Sequence, residues 1–220
     1  MDKSFSCSIE NITAKERWDS IHSSYALADI VCDDWLEQFG DIINDCNTPI
    51  IDLGCGSGNN IKYLLERGKA VVACDFSPNA ITNAVNNFPQ LRGAMCFDLT
   101  EPLPFEDNFT ALIIADLSLH YFPMNITQKV LEEIMRVLTP GGIVLLRVNS
   151  VKDVNHGAGQ GEEIERHLYK SEDGRLKRFF DRDDINSIFA KWNILYAEEN
   201  EMRRYVLPKM LWTIALKPNK

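Results

Sequence analysis

The chain has no C-x-x-C pair, although it holds six cysteines, at positions 7, 32, 46, 55, 74 and 96. That spacing excludes the common zinc and dithiol frameworks and fits reduced, unlinked thiols, so no metal is expected. It also lacks any apolar run of about 18 residues, the length a membrane-crossing helix needs. The opening stretch M-D-K-S-F-S-C has no apolar core of the kind a secretory signal carries. The expectation is a cytoplasmic chain with no membrane contact, in which the sequons at Asn11, Asn108 and Asn125 are chance matches. Positive charge is scarce: 23 Lys and Arg stand against 32 Asp and Glu, a net charge of −9. A nucleic-acid backbone is therefore not expected as the main partner, with room only for a local basic patch at Arg203 and Arg204. No internal repeat, low-complexity tract or interdomain linker is present. With 220 residues and 45% hydrophobic content, one α/β domain with its own core is expected.

What is there centres on Pro49 to Asn60, P-I-I-D-L-G-C-G-S-G-N-N. A short apolar run leads into Gly54, Gly56 and Gly58, and a helical pattern of Ile61, Tyr63, Leu64 and Leu65 follows. The stretch reads as strand, glycine turn, helix. Glycines let a ligand approach the backbone, and the helix N-terminus behind them offers unpaired N–H groups. No Gly-Lys-Ser/Thr follows, which excludes a P-loop. The glycine pattern is G-x-G-x-G and not the G-x-G-x-x-G of dinucleotide enzymes, which opposes a nicotinamide cofactor. Ala70 to Cys74 reads as the second strand and ends at Asp75, where a carboxylate can accept both hydrogens of a ribose diol.

Along the rest of the chain, Ala14 to Phe39 carries two helical patterns with a break near His22 to Ser24. Ser77-Pro78 opens a helix with a serine cap and a proline in its first turn. A third strand runs from Gly93 to Phe97, ending at Asp98-Leu99. The fourth, Thr110 to Ala115, has the doubly buried character of a parallel strand and ends at Asp116. An amphipathic helix over Ile126 to Leu138 is stopped by T-P-G-G, and a fifth strand over Ile143 to Val148 follows. From Ser150 to Asp181 no helix or strand period is visible; a connection that long is usually functional or mobile. A helix over 183–191 and strands over 192–198 and 209–216 complete the chain. The βα alternation predicts a doubly wound, mostly parallel sheet with helices on both faces.

The blocks D-L-G-C-G-S-G, A-C-D-F-S, C-F-D-L and L-T-P-G-G, in that order over residues 48–149, resemble the class I S-adenosylmethionine-dependent methyltransferases. The C-terminal third more loosely resembles the small-molecule members of the tellurite-resistance and thiopurine type, and the stretch 150–180 departs from them. The resemblance implies a Rossmann-like seven-stranded sheet of order 3-2-1-4-5-7-6 with the last strand antiparallel. It implies S-adenosylmethionine as cofactor and S-adenosylhomocysteine as product. It divides the single domain 1–220 into cap helices (1–45), a cofactor core (48–149), an acceptor-side insertion or lid (150–180) and a C-terminal helix and strand pair (181–220).

Carried over from that family, Gly54, Cys55, Gly56 and Gly58 admit the methionine portion and the sugar. Asp52 and the backbone near Asp116 face the amino-acid end. Asp75 holds the ribose, with Phe76 and Ser77 beside it, Phe76 packing on the adenine. Asp98 accepts the adenine amino group and Leu99 offers a backbone donor. Trp18 and Tyr25 are candidates for covering the cofactor. Asp52, Asp75, Asp98 and Asp116 end four strands and form an acidic rim suited to a cation. His120 is the candidate general base, against a structural imidazole satisfied by its neighbours. Arg147 is either a clamp for an anionic substrate or half of an ion pair. The reading is methyl transfer to a small-molecule acceptor at O, N or S by in-line displacement, in a monomer or homodimer. The alternatives are a protein or RNA methyltransferase, or a catalytically silent cofactor-binding domain. No N-P-P-Y or D-P-P-Y follows the fourth strand, where amide or base N-methylation would want one.

Overall fold

The computed structural model describes residues 14–23, 30 and 33–219; Tyr25 lies outside them. In chain order the first elements are α1 (Ala14–Ser23), a 3-10 helix (Asp34–Phe39), α2 (Gly40–Asp45), β1 (Ile50–Leu53), α3 (Asn59–Glu66) and β2 (Val71–Asp75). Next come α4 (Pro78–Asn87), β3 (Gly93–Cys96), β4 (Thr110–Asp116), α5 (Met124–Val137) and β5 (Leu138–Asn149). The chain closes with β6 (Glu162–Glu165), β7 (Leu168–Lys170), β8 (Leu176–Arg178), α6 (Arg182–Ile188), β9 (Trp192–Met202) and β10 (Lys209–Pro218).

Seven strands make one sheet in the order β3-β2-β1-β4-β5-β10-β9. The first five pair in parallel, and β10 runs antiparallel to both β5 and β9. This is the expected order, with β9 and β10 as the sixth and seventh strands. The strand period of two divides the core. Ile51, Leu53, Ile113 and Val144 face α5 and α6, whereas Ile50, Val71, Leu112 and Ile114 face α3, α4 and the N-terminal helices. Both sheet faces are therefore covered, as continuous apolar strands require. The sheet reverses direction of travel between β1 and β4, so their carboxyl ends open the crevice in which such folds bind ligands.

Two segments differ from the sequence-based expectation. The fifth strand begins at Leu138, because T-P-G-G is absorbed into it through an irregular register between Thr110 and Leu112. The stretch 150–180 is not without strands: β6, β7 and β8 form a separate antiparallel sheet. Its strands are three or four residues long, too short to display a period, and β6 is nearly all glutamate. It is anchored by buried Leu168, Phe179 and Phe180. Backbone bonds from Phe180 N to Asn149 O (2.9 Å) and from Arg178 N to His120 O (2.7 Å) tie it to the large sheet.

Candidate functional site

The glycine turn closes β1 onto α3 with every glycine at positive φ: Gly54 at 77°, Gly56 at 49° and Gly58 at 92°. Gly54 N and Cys55 N both donate to Cys74 O, at 2.8 and 2.9 Å, which locks the turn against β2. A Cβ on Gly54 would stand 2.5 Å from Ser118 Cβ, and one on Gly58 2.5 Å from the Phe88 ring. Ser118 is held there by its own hydroxyl, which donates to Leu53 O at 2.7 Å.

Asp75 is joined directly to this turn. Its Oδ2 accepts from Gly56 N at 3.0 Å, and its Oδ1 from Ser77 N at 2.9 Å. A carboxylate has about four acceptor positions, so two remain for a diol. Asp52 is fully buried at the end of β1; its Oδ1 accepts from Asn60 Nδ2 at 3.2 Å, and its Oδ2 has no partner among the described residues. Burial, joined by the Asp116 and Asp75 carboxylates and opposed by the Asn60 bond, pushes the Asp52 carboxyl up to about 7. Asn60 in turn accepts from Trp35 Nε1 at 3.0 Å, so the orientation of Asp52 is set from the N-terminal segment. An orphaned buried carboxylate oxygen beside a backbone cradle is a site shaped for a cationic ligand.

The cap helix lies over the same turn. His22 on α1 is close enough that a Gly56 Cβ would meet its ring at 3.3 Å. Trp18 stacks on His22 with centroids 5.9 Å apart and meets Tyr121 edge-on at 5.7 Å. Asp19 fixes the helix: its Oδ1 accepts from Ser77 Oγ at 2.8 Å and from Asn79 N at 2.9 Å, at the N-terminus of α4. Ser77 is thus a bridge as well as the α4 cap, accepting from Ala80 N at 3.1 Å. His22, Asp19 and Asn60 were not singled out in the sequence; an aspartate on a short polar helix carries no signal of the helix it will cap.

The geometry decides the two readings of Arg147 in favour of the ion pair and takes Asp116 out of the acidic rim. Arg147 is not free to clamp a substrate. Nε and Nη2 donate to the two oxygens of Asp116 at 2.7 and 2.8 Å, and Nη1 donates to Asp33 at 2.5 Å. Arg204 closes the square, with Nη2 at 2.6 Å from Asp33 and 3.0 Å from Asp116. Nor does Asp116 lend its charge to an acidic rim. Burial alone would raise its carboxyl, but Arg147 and then Arg204 outweigh that and hold it at about 2, with both oxygens engaged. The rim is therefore Asp52, Asp75 and Asp98. Of these Asp98 is the outlier: it is exposed and its Oδ1 accepts from Thr100 N at 2.9 Å. Phe76 and Leu99 are half-buried, and the Cys55 thiol is pushed up by burial, which makes it inert packing.

His120 follows β4 and is 2% exposed. Its Nδ1 has no partner among the described residues. Burial, then the Lys209 and Lys177 ammoniums, push its pKa well below the ordinary value, so the ring is neutral at pH 7. Its ring lies 4.2 Å from Tyr121, which connects it through Trp18 and His22 to the glycine turn.

Strand order, glycine cradle and acidic strand ends together define the class I S-adenosylmethionine-dependent methyltransferase fold. Residues 51–146, somewhat under half of the chain, match the family model described as a methyltransferase domain, in agreement with that fold. The chain is similar to the tRNA N(3)-cytidine methyltransferase METTL2 of Gallus gallus, 28% identical over 154 residues, covering 64% of this chain and 41% of that protein. It is also similar to an uncharacterised methyltransferase of Synechocystis, 36% identical over 97 residues, covering 44% of this chain and 45% of that one. The chain thus spans less than half the length of these relatives. Among solved structures, an S-adenosylmethionine-dependent methyltransferase from Methanosarcina mazei superposes with a TM-score of 0.67 at 17% identity, covering 80% of this chain and 93% of that one. S-adenosylmethionine is the cofactor that this class uses, and the cradle, Asp75 and the orphaned Asp52 oxygen fit its ribose and its cationic amino-acid end. Among the described residues no helix is long and apolar enough to cross a membrane.

Proposed function

We propose that the chain transfers the methyl group of S-adenosylmethionine to a small-molecule acceptor at O, N or S. The observation that carries this reading is a roof over the acceptor side. α1 covers the glycine turn, and its Arg17 reaches the β7–β8 hairpin, where Nη2 donates to Asp173 O at 3.0 Å. A small body fits under such a roof more readily than an extended polymer, and the net charge of −9 points the same way. The cofactor supplies a methyl already activated as a sulfonium. The chain's task is to hold a nucleophile in line at roughly 3 Å and to keep water out. Asp75 and the glycine turn position the sugar, and Asp52 faces the ammonium end. His120, neutral and with an unused ring nitrogen, takes the proton of an acceptor that arrives protonated. The segment 150–180 acts as the acceptor-side lid.

Calorimetry with S-adenosylmethionine and S-adenosylhomocysteine tests the cofactor reading. Both are expected to bind, and Asp75→Ala is expected to weaken binding on the order of ten- to hundredfold, since a buried acceptor for two hydroxyls is lost. His120→Ala is expected to spare affinity and depress turnover. Equal affinity losses in the two variants would contradict these roles.

RNA is the second reading, favoured by the similarity to METTL2 proteins, which are named for cytidine methylation in tRNA. Transfer of labelled methyl to unfractionated tRNA, set against a small-metabolite extract, decides between the two. Hydrogen exchange tests the lid: amides of 150–180 are expected to gain protection when S-adenosylhomocysteine and an acceptor bind. Unchanged protection would make the small sheet a fixed excursion, consistent with its buried Phe179 and Phe180.

A further inference from the structure

Resting on the assignment of Asp75 to the cofactor's ribose, we infer that α1 is a strap latched by Asp19 to the N-terminus of α4, and that release of this latch sets how fast the cofactor enters and its product leaves. Asp75 takes two backbone bonds, from Gly56 N and from Ser77 N. α1 touches both of those residues. A Cβ on Gly56 would stand 3.3 Å from His22 Cε1, and Asp19 Oδ1 accepts from Ser77 Oγ at 2.8 Å. Asp19 and His22 are three residues apart and so share one face of the helix, which Trp18, four residues before His22, joins. The strap thus bridges the two anchor points of the carboxylate assigned to the ribose.

α1 is held by polar bonds more than by packing. Its sequence, A-K-E-R-W-D-S-I-H-S, is mostly polar, and none of its side chains belongs to either apolar core among the described residues. A helix of 10 residues has little stability of its own. Its anchorage includes four bonds at Asp19. Besides Ser77 Oγ, Oδ1 accepts from Asn79 N at 2.9 Å, Oδ2 from Asn79 Nδ2 at 2.9 Å, and the Asp19 carbonyl from the same amide at 3.2 Å. One turn on, His22 O accepts from Asn83 Nδ2 at 2.8 Å. The carboxylate completes the α4 cap: Pro78 at the start of that helix has no N–H, and Ser77 Oγ takes the N–H of Ala80. Bonds from a carboxylate to the positive end of a helix are charge-assisted and stronger than neutral ones. At the other side Arg17 meets Asp173 of the β7–β8 turn, with Nη1 3.5 Å from its carboxylate, but both side chains reach solvent and that pair adds little.

Such a helix lifts without opening the core, since elements with few buried apolar contacts are the ones that open locally. The groups it uncovers are mostly polar, and water replaces their bonds. Asp19 bonds to α4 and not into the space before Asp75, so its bonds oppose lifting equally whether a ligand is entering or leaving. Weakening the latch therefore raises both rates together and leaves the equilibrium nearly where it was. Loss of a direct contact with the ligand would instead raise the exit rate alone.

Surface plasmon resonance on the full chain gives the entry and exit rates of S-adenosylhomocysteine at pH 7. Asp19→Ala is expected to raise both rates about tenfold, the effect of losing one charge-assisted anchor, while Kd moves by less than about threefold. Asp19→Asn keeps the acceptor oxygen without the charge and is expected to raise both about threefold, so it carries the test if the alanine variant folds poorly. Arg17→Ala is expected to exchange ligand nearly as the parent does. A faster exit with an unchanged entry rate, and Kd rising in proportion, overturns the inference, because Asp19 would then only support the bound state. So do rates in the Asp19 variants equal to those of the parent, and so does an acceleration in Arg17→Ala as large as in Asp19→Ala. If S-adenosylhomocysteine fails to bind the parent, the cofactor reading itself falls, which is a separate result from the comparison of rates.

Discussion

Arg147→Leu is expected to lower the unfolding free energy by about 3 kcal/mol at pH 7, equivalent to about 6–12 °C in Tm for a chain of this size. The guanidinium is 2% exposed and serves two carboxylates at once, and its central carbon lies 4.6 Å from the centroid of the Trp35 ring. Removing it leaves Asp116, itself 5% exposed, with the single remaining bond to Arg204. The penalty is that of an uncompensated buried charge, not the worth of the pair. Arg147→Leu with Asp116→Leu is therefore expected to recover much of the loss, because Asp33 and Arg204 still match each other. Arg147→Lys is not expected to rescue, since one ammonium cannot grip Asp116 with two parallel bonds and also reach Asp33.

The same variant has a pH signature. In the native protein the Asp116 carboxyl sits at about 2, below its ordinary 3.8. Its contribution is thus fully present above about pH 4 and is lost as pH falls through about 2. In Arg147→Leu burial is expected to outweigh the remaining Arg204 contact and to raise that carboxyl above its unfolded value, so the folded variant binds the extra proton. The variant should gain stability relative to the parent between pH 7 and 5. Denaturant titrations at the two pH values check this. A gap that stays constant, or widens toward pH 5, would show that Asp116 does not carry the effect. A small loss of S-adenosylhomocysteine affinity should accompany it, since Trp35 links Arg147 to Asn60 and so to Asp52.

The parts of the site that were legible in the sequence are those made by consecutive residues. The glycine turn, Asp75 at a strand end and the Ser77-Pro78 cap each depend on a neighbour within a few positions. A local pattern therefore carries them. The ionic square does not. Asp33 precedes a 3-10 helix, Arg147 sits on β5 and Arg204 in the β9–β10 loop, and only the seven-stranded order brings them together. Arg147 near the end of the fifth strand left two partners open, a substrate or a side chain. Asp98, read as ending the third strand, lies two residues beyond the end of β3, and its side chain is turned to its own loop.

Gly54→Ala is expected to reduce S-adenosylhomocysteine affinity by about a hundredfold or more. Two costs combine. At φ 77° an alanine pays roughly 1–2 kcal/mol for the left-handed conformation. Its methyl would also stand 2.5 Å from Ser118 Cβ and 3.7 Å from Ser118 Cα, so the obstruction is close to backbone and cannot be relieved by a rotamer change. Ser118 cannot step aside easily, because its hydroxyl is bonded to Leu53 O and it follows Leu117, itself at φ 57° with its N–H bonded to Arg147 O. The two segments that must part are the turn after β1 and the loop after β4. Forcing them apart distorts the crevice that holds the cofactor and unseats the backbone N–H of Gly56 from Asp75. Gly68→Ala is the matched control: Gly68 has φ 69° and open space where the Cβ would be. It carries the conformational cost alone, so it should lose a comparable 1–2 kcal/mol in stability and almost no ligand affinity. Calorimetry and thermal melts on both variants separate the terms. If Gly54→Ala binds S-adenosylhomocysteine as well as Gly68→Ala does, close approach at the turn is not what Gly54 is there to permit.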